Sequence, residues 1–553
     1  MFNSFGPAHV LLPPLVGCTC LYRSSDPRGN VIMLAMLAIW AVLVGQHYFS
    51  SGQAAHILAS VIQASFLVFA QALSVIIAVA AYRLSPLHPL AHFPGLWVDK
   101  VTSLRVAYLA LTGHRAKHVT SLHDRYGDVV RIGPNRVSIN SSDAIYPIYA
   151  SPQAFDRAAS YRPGLIHDGS LLFSRKRVEH GHRKRIWAGA LTSHAIQHWD
   201  GALKDRVDQL IDCIARRQDL RGVIDLGVCI EHWGFDFIYD VIFGINCNTP
   251  EFMRNGDPHN ICRSAKNSIV LFEVLGEIPT LFDIASVLPV TEEYREVERH
   301  FQKHINERMQ INPHSDWDFC SFFMAQREDA QYPPLSKPDL NADALVAFEA
   351  GGDTLAGFLS IIIFYILKHQ PVYEKLRAEL EQVFPLGEIA QDRYGSLTEI
   401  PYLVAVINEG LRLGANFAGF QRVVPQGGAV LAGQYVPGGT VVGVPAHLQH
   451  IHPDNFWPMP LEFRPERWFK DGLGPGTITR QSAFMAFQFG PFGCVGKTFA
   501  YRQLNVVLSR LLLAYDLKFA PDFDSKAFVQ GWLNIRTTIF NYPLKVQASR
   551  RQW

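Results

Sequence analysis

Phe487-Gln488-Phe489-Gly490-Pro491-Phe492-Gly493-Cys494-Val495-Gly496 is the stretch on which the reading of this chain turns, and a helical pattern follows it from Lys497 onward. A cysteine set between glycines, just before a helix begins, can be held as a thiolate. Glycines let the backbone approach another group closely. The amide donors around them, with the N-terminus of the following helix, stabilise negative charge on sulfur. A bare Cys-x-Gly would read as a tight turn with a buried cysteine. The whole ten-residue stretch asks for more than a turn.

Upstream of that stretch lie three further local patterns. Phe463-Arg-Pro-Glu-Arg467-Trp468 alone could be a surface loop. Glu409-Gly-Leu-Arg412 places a carboxylate and a guanidinium on one helix face, a pairing common on solvated surfaces. Here it follows the apolar run Tyr402–Ile407, which predicts burial, and a buried pair needs further hydrogen-bond partners. Arg467 is a candidate for that partner. Farther back, Ala350-Gly351-Gly352-Asp353-Thr354 interrupts an apolar helical pattern spanning Asp343 to Leu367. Two adjacent glycines inside a helix cost about 2 kcal/mol relative to alanine. A local opening of the helix, or close packing of a neighbour, would account for them. An acid and an alcohol beside such an opening can relay protons to a bound oxygen species.

The rest of the chain sets bounds. Its 553 residues are 48% hydrophobic and 18% charged, the profile of a packed protein, and the net charge of +2 argues against a nucleic-acid binder. Eight cysteines are scattered, apart from Cys18-Thr-Cys20, and form no disulfide framework legible in the sequence. Long helical patterns dominate after Leu96; Pro371–Phe384 is amphipathic with a first-turn proline. Short strands are expected at Asp128–Ile132 and Arg136–Ile139 around the turn Gly133-Pro134-Asn135, and as a second pair at Ala429–Leu431 and Thr440–Val444. The expectation is a mainly α domain with small sheets.

The N-terminal region differs in character. Val31–Gly45, extendable through Phe49, and Ala54–Tyr82 are apolar, and the second is long enough to cross a bilayer outright. Residues 1–84 therefore read as a membrane anchor with spans at 31–49 and 54–82. Residues 85–95 are a proline-rich hinge, and 96–553 are the catalytic domain. Arg83, Lys100, Arg105, Arg115 and Lys117 follow the second span, and Arg23 and Arg28 precede the first. By the positive-inside rule both flanks of a helical hairpin face the cytoplasm. A multi-span transporter is excluded, because the apolar runs long enough to span lie only near the N-terminus.

In their order and spacing the four motifs resemble the cytochrome P450 superfamily, across nearly all of the soluble part. The resemblance implies a mainly α, triangular domain with minor sheets, carrying haem b on the thiolate of Cys494. A thiolate on haem iron pushes electron density that favours O–O cleavage. Asp353 and Thr354 match the family's acid–alcohol pair, and Glu409, Arg412 and Arg467 its structural triad. Phe487 and Gly490 lie in the cofactor-binding loop. His180 and Lys184, in His180-Gly-His-Arg183-Lys184-Arg185-Ile-Trp187, resemble the helix that supplies cations to the haem propionates; Arg422, in Arg422-Val-Val-Pro425, resembles a propionate-binding strand.

The reaction implied is insertion of one oxygen atom from O2 into a lipophilic substrate. The chain ends soon after the cysteine, without room for a flavin domain, so electrons are expected from NADPH-cytochrome P450 reductase, with cytochrome b5 as a second donor. The expected location is the endoplasmic reticulum membrane, with the catalytic domain facing the cytoplasm. The basic face near the thiolate loop suits an acidic reductase. The apolar segments Leu96–Arg115 and Val270–Pro289 are expected to approach the pocket. The two-helix anchor and Phe235–Gly244 resemble fungal members, which often serve secondary metabolism or xenobiotic oxidation.

Two positions depart from the family pattern. Phe492 stands where Arg or His usually reaches a propionate, and Gly414-Ala-Asn stands where a His-Pro pair is common. The alternatives are a relative that rearranges or dehydrates oxygenated substrates without O2, which tends to lack the acid–alcohol pair kept here, and a non-catalytic membrane haem-binding protein, to which Phe492 lends weight.

Overall fold

The computed structural model describes residues 28–51, 57–162, 169–245, 249–310, 317–324, 335–414, 419–534 and 538–552. Cys18, Cys20, Arg23, the start of the second apolar run at Ala54, and Ala415-Asn416 lie outside them. Two apolar helices come first, α1 (Gly29–Ser51) and α2 (Ile57–Leu84). They lie side by side, with Trp40 Nε1 donating to Ser65 Oγ at 3.0 Å. Only 6% of the most apolar window of each is buried, against 72% for the third long apolar helix of the described residues, Lys337–Lys368. Length and hydropathy alone would admit all three as spans. Burial separates them: the third is a core element, and the first two present bare apolar surface.

The rest of the chain is built mainly of helices. Those that position the site are α3 (Leu104–Leu111), α4 (Arg115–Tyr126), α5 (Arg177–Ala190), α6 (Asp200–Arg217), α7 (Leu226–Phe243), α8 (Ile261–Gly276), α9 (Pro279–Ala285), α10 (Glu292–Gln310), α11 (Lys337–Phe348), α12 (Thr354–Lys368), α13 (Gln370–Val383), α14 (Pro401–Gly414) and α15 (Lys497–Ala514). Local chemistry fixes several starts. Ser336 Oγ accepts from Asp339 N at α11, Asp225 accepts from Gly227 N at α7, and α13 opens on Pro371, where a missing N–H costs nothing. Helix α7 is apolar on almost every side and buried throughout most of its length, as a central helix must be.

Between α11 and α12 the chain widens into one π-helical turn, Glu349–Asp353, at the double glycine. Opening and close packing both operate there. A Cβ on Gly351 would stand 2.5 Å from Ile238 Cδ1, and one on Gly352 would stand 2.6 Å from Phe235 Cδ1. The π-turn thus lets α7 press its side chains against the widened backbone.

Among the described residues the sheets are small. Strands β1 (Val129–Gly133) and β2 (Arg136–Ile139) form the expected hairpin. The strand pair expected downstream is corrected. With β3 at Val223–Asp225 and β4 at Arg422–Val423, β5 (Ala429–Leu431) pairs with β6 (Gln434–Val436), not with the run at 440–444. That run supplies β7 (Val441–Gly443), which lies parallel to β2 and antiparallel to β4, in the order β1-β2-β7-β4. Gly433 (φ +74°) and Ala432 (φ +46°) make a tight local turn, so β5 finds its partner two residues on. The segments flagged as apolar, α3 and α8–α9, meet each other, but α3 leaves Leu104, Tyr108 and Leu111 exposed and buries only its other face.

Candidate active site

The cysteine loop is closed by its own backbone. Gly493 N donates to Gly490 O at 3.0 Å, and Cys494 N donates to Phe487 O at 2.9 Å. Gly490 has φ +66°, and a Cβ there would lie 2.1 Å from Tyr149 O, so no side chain fits. Lys184, on α5, donates Nζ to Pro491 O (2.9 Å) and Gly493 O (2.8 Å). The expected propionate cation is therefore a clamp on the two carbonyls that frame Cys494. Phe487 stacks near Tyr501, whose hydroxyl donates to Asn408 Oδ1 at 2.7 Å, joining the loop and α15 to α14.

The Cys494 side chain is exposed, yet burial raises its pKa; the Gly496 amide, Lys184 and Lys497 act in the opposite direction. Burial in turn lowers the Lys184 pKa, and the charge of Cys494 opposes that shift.

Phe492 occupies a cationic nest. Its ring lies 4.5 Å from the Arg157 guanidinium carbon and 4.8 Å from that of Arg422, and 4.6 Å from the His180 ring. Arg422 is 1% exposed. It gives Nη1 to Gln421 O and Nη2 to Gln488 Oε1, both at 3.0 Å; its Nε has no hydrogen-bond partner, and no carboxylate of the described residues pairs with it. His180 is held neutral: burial first, then Arg157, Lys184 and Arg422, push its pKa down to about 2, and its buried Nδ1 likewise has no partner. Buried guanidinium charge without a counter-anion is costly. The donor set therefore fits an anionic group beside the cysteine loop, such as the propionates of a haem. Cation–π contacts from the Phe492 face hold the two arginines in place.

Arg157 was not legible in the sequence. It sits in irregular chain, and only the long-range bridge that pairs it with Arg422 brings it here. Its Nη1 is spread over the carbonyls of Leu171, Leu172 and Ser174. Arg183, beside Lys184, points elsewhere and binds Asp339 (2.7 Å) and Asp343 (3.5 Å) on α11.

At the π-turn, Thr354 Oγ1 donates to Ala350 O at 2.5 Å, which leaves its lone pairs as acceptors. Asp353 is buried and lies 3.4 Å from Lys266 Nζ on α8; Lys266 also binds Glu231 on α7. Burial would lower the Lys266 pKa, but Asp353 and Glu231 outweigh it and hold it above the ordinary lysine value. Glu349, one turn before Asp353, is buried, and its pKa is pushed well above the carboxylate range by burial and then by Asp353. Two buried acids and an alcohol thus sit along one helical turn, with Lys266 of α8 against the second acid.

Glu409, Arg412 and Arg467 come together as one buried ion cluster. Arg412 Nε and Nη2 fork onto the two Glu409 oxygens at 2.8 Å each, and Arg467 Nε reaches Oε1 at 2.8 Å. Arg464 N and Trp468 Nε1 complete the carboxylate's shell at 2.9 and 3.1 Å. Sequence reasoning missed His450, which carries this cluster to the cysteine loop. Its Nδ1 donates to Arg412 O at 2.9 Å and its Nε2 accepts from Met485 N at 2.7 Å. The amide of Met485 can only donate, so Nε2 is the bare nitrogen. Burial, opposed by the Arg412 carbonyl, brings the His450 pKa down to about 3, in keeping with that neutral tautomer.

Comparison with known proteins gives one consistent result. The family model described as Cytochrome P450 matches residues 102–545. Cytochrome P450 monooxygenase AKT7 of Alternaria alternata is 30% identical over 80% of this chain and 87% of its own length. Cytochrome P450 67 of Uromyces fabae is 29% identical over 85% and 87%. Cytochrome P450 monooxygenase atnE of Emericella nidulans is 28% identical over 82% and 91%.

Proposed function

This chain belongs to the cytochrome P450 family, and from that premise we propose that its cysteine loop, cationic nest and π-turn form the active site of a monooxygenase acting on lipophilic compounds. It is a haem-thiolate monooxygenase, and haem b is its cofactor. When bound, the haem supplies reductive activation of O2, one atom of which enters the substrate.

Everything else falls to the chain. Cys494 would hold the haem iron through its thiolate, with the Gly496 amide and the positive charge of Lys184 offsetting the cost of a buried anion. Gly490 and Phe487 shape the loop, and Lys184 fixes its carbonyls. Arg422, Arg157 and neutral His180 would hold the propionates, with Phe492 acting as their platform where the family more often has a further cation. Thr354 would pass a proton onward from Asp353, while Lys266, bound to both Asp353 and Glu231, holds that carboxylate beside the opened turn, and Glu231 is partly open to solvent. Retention of both Asp353 and Thr354 favours oxygen insertion over rearrangement without O2.

The two bare apolar helices support membrane association. We place the protein at the endoplasmic reticulum with the domain on the cytoplasmic side, because basic residues flank the second helix. A membrane-bound NADPH-cytochrome P450 reductase is the proposed electron source, with cytochrome b5 as an auxiliary. Fungal relatives support a place in fungal secondary metabolism or xenobiotic oxidation.

The observation that carries the reading is the cysteine loop, clamped by Lys184 around Cys494, beside the buried Arg422, which has no carboxylate partner among the described residues. It is tested by the reduced spectrum with carbon monoxide: a Soret band far to the red is expected, and a band at the position of histidine ligation would overturn it. Thr354→Ala should keep NADPH consumption close to that of the parent while product per NADPH falls roughly a hundredfold, the lower end of the scale for one lost proton-transfer group. Unchanged coupling, measured as product against NADPH oxidised, would remove Thr354 from proton delivery.

A further inference from the structure

Helix α1 does more than run beside α2. Its first residue is docked on the catalytic domain. Gly29 N donates to Asp283 Oδ2 at 2.9 Å, and Arg28 lies 3.6 Å from Oδ1. The fit is close: a Cβ on Gly29 would stand 1.8 Å from Thr280 O and 3.2 Å from Ile284 Cγ1. Asp283, on α9, is fully buried and also receives Arg162 Nη2 at 2.7 Å. One carboxylate therefore joins the anchor, α9 and the chain at 159–162. Its charge suits the site, because a helix N-terminus carries partial positive charge and free N–H groups.

Helix α9 continues α8, the helix that covers the π-turn through Lys266 and Asp353. At the joint between them Glu277 takes Arg115, Arg136 and Gln421, while Glu273 takes Arg115. A Cβ on Gly276 would come within 2.7 Å of Ser160 O. The α8–α9 roof is thus clasped to α4, β2 and the 159–162 segment, and its outer end is clasped to α1.

We propose that the first apolar helix is a latch on the substrate gate: α1, held at Asp283, keeps the α8–α9 roof closed over the cleft, and α2 with its hinge is the anchor proper. Substrate entry then requires α9 to leave the Arg28–Gly29 end of α1 or to carry it along. The inference rests on the monooxygenase reading, since only there must a substrate pass this roof to reach Thr354.

The test uses the full chain, haem-loaded, in lipid nanodiscs. Gly29→Val places a branched side chain against Thr280 O and changes no residue of the domain on which α1 is docked. Two quantities are read: amide exchange over residues 279–285 and 159–162, and the association rate of imidazole followed at the Soret band. The variant should raise exchange in both segments and speed association roughly fivefold or more, the lower end of ordinary coupling between sites. Its carbon monoxide band should match that of the parent. Unchanged exchange, or raised exchange with an unchanged association rate, overturns the latch. Should Gly29→Val fail to assemble, Asp283→Asn is read by the same two measurements with the same expected and overturning results; it keeps an acceptor for Gly29 N and Arg162 but removes the charge. A parent protein without the red-shifted band would count against the monooxygenase reading instead, and the exchange data would still decide the docking.

Discussion

Cys494→Ser should leave a folded protein whose monooxygenase turnover falls by roughly a thousandfold or more, about 4 kcal/mol of barrier. Serine matches cysteine in shape, so the loop should survive. The Gly493–Gly490 and Cys494–Phe487 hydrogen bonds are made by backbone, and the Lys184 clamp grips carbonyls of residues 491 and 493, not the side chain. What changes is the donor atom. A thiol is brought to its anion by a metal and nearby cations, whereas an alcohol gives up its proton far less readily and donates less electron density. The carbon monoxide band of the reduced variant should leave its red position while circular dichroism stays that of the parent. Turnover within tenfold of the parent would show that another group ligates the iron and that Cys494 is a loop residue only.

The parts of this site legible in the sequence are those set by short-range pattern. Cys494, the Glu409/Arg412 spacing and the double glycine at 351–352 each declare themselves within ten residues, because a turn, a helix face and a helix opening are local events. Arg467 was legible as a partner for Glu409 only because two charges on one buried face need a third group. Residues that reach the site by tertiary pairing were silent. Arg157 arrives through a bridge to Arg422, and His450 through one carbonyl and one amide in distant segments. Lys266 reads as one more charge on α8 until the fold sets it beside Asp353. The role expected of Lys184 shifted for a related reason: sequence showed a cation near the loop, but the carbonyls of Pro491 and Gly493 compete for it at hydrogen-bonding distance. Strand β5 took β6 rather than β7 because a local turn closes at less entropic cost than a longer loop.

Glu409→Gln should cost about 3–5 kcal/mol of stability, the usual penalty for removing one partner of a buried ion cluster. Against a total of about 5–15 kcal/mol this is a large fraction. Glutamine keeps the size and one acceptor oxygen, so packing is not the cause. The loss is electrostatic: Arg412 and Arg467 are both fully buried and share this single carboxylate. Their remaining donors go to carbonyls of His450, Pro458, Met459, Pro460 and Glu462. Carbonyl dipoles orient the guanidiniums but do not neutralise them, and two like charges left together repel in a low-dielectric interior. The same arginines hold the chain from 450 to 467 in shape, and His450 passes that shape to Met485 at the root of the cysteine loop. The variant should therefore unfold at lower temperature and also lose haem more readily than the parent at temperatures where it is still folded. Arg412→Lys should behave similarly, because an ammonium cannot fork onto both Glu409 oxygens while serving three carbonyls. Thermal melts followed by circular dichroism, with haem content of the purified proteins measured in parallel, decide the matter. Parental melting temperature and parental haem content in Glu409→Gln would mean that neither the charge of Glu409 nor its second acceptor oxygen holds this region together.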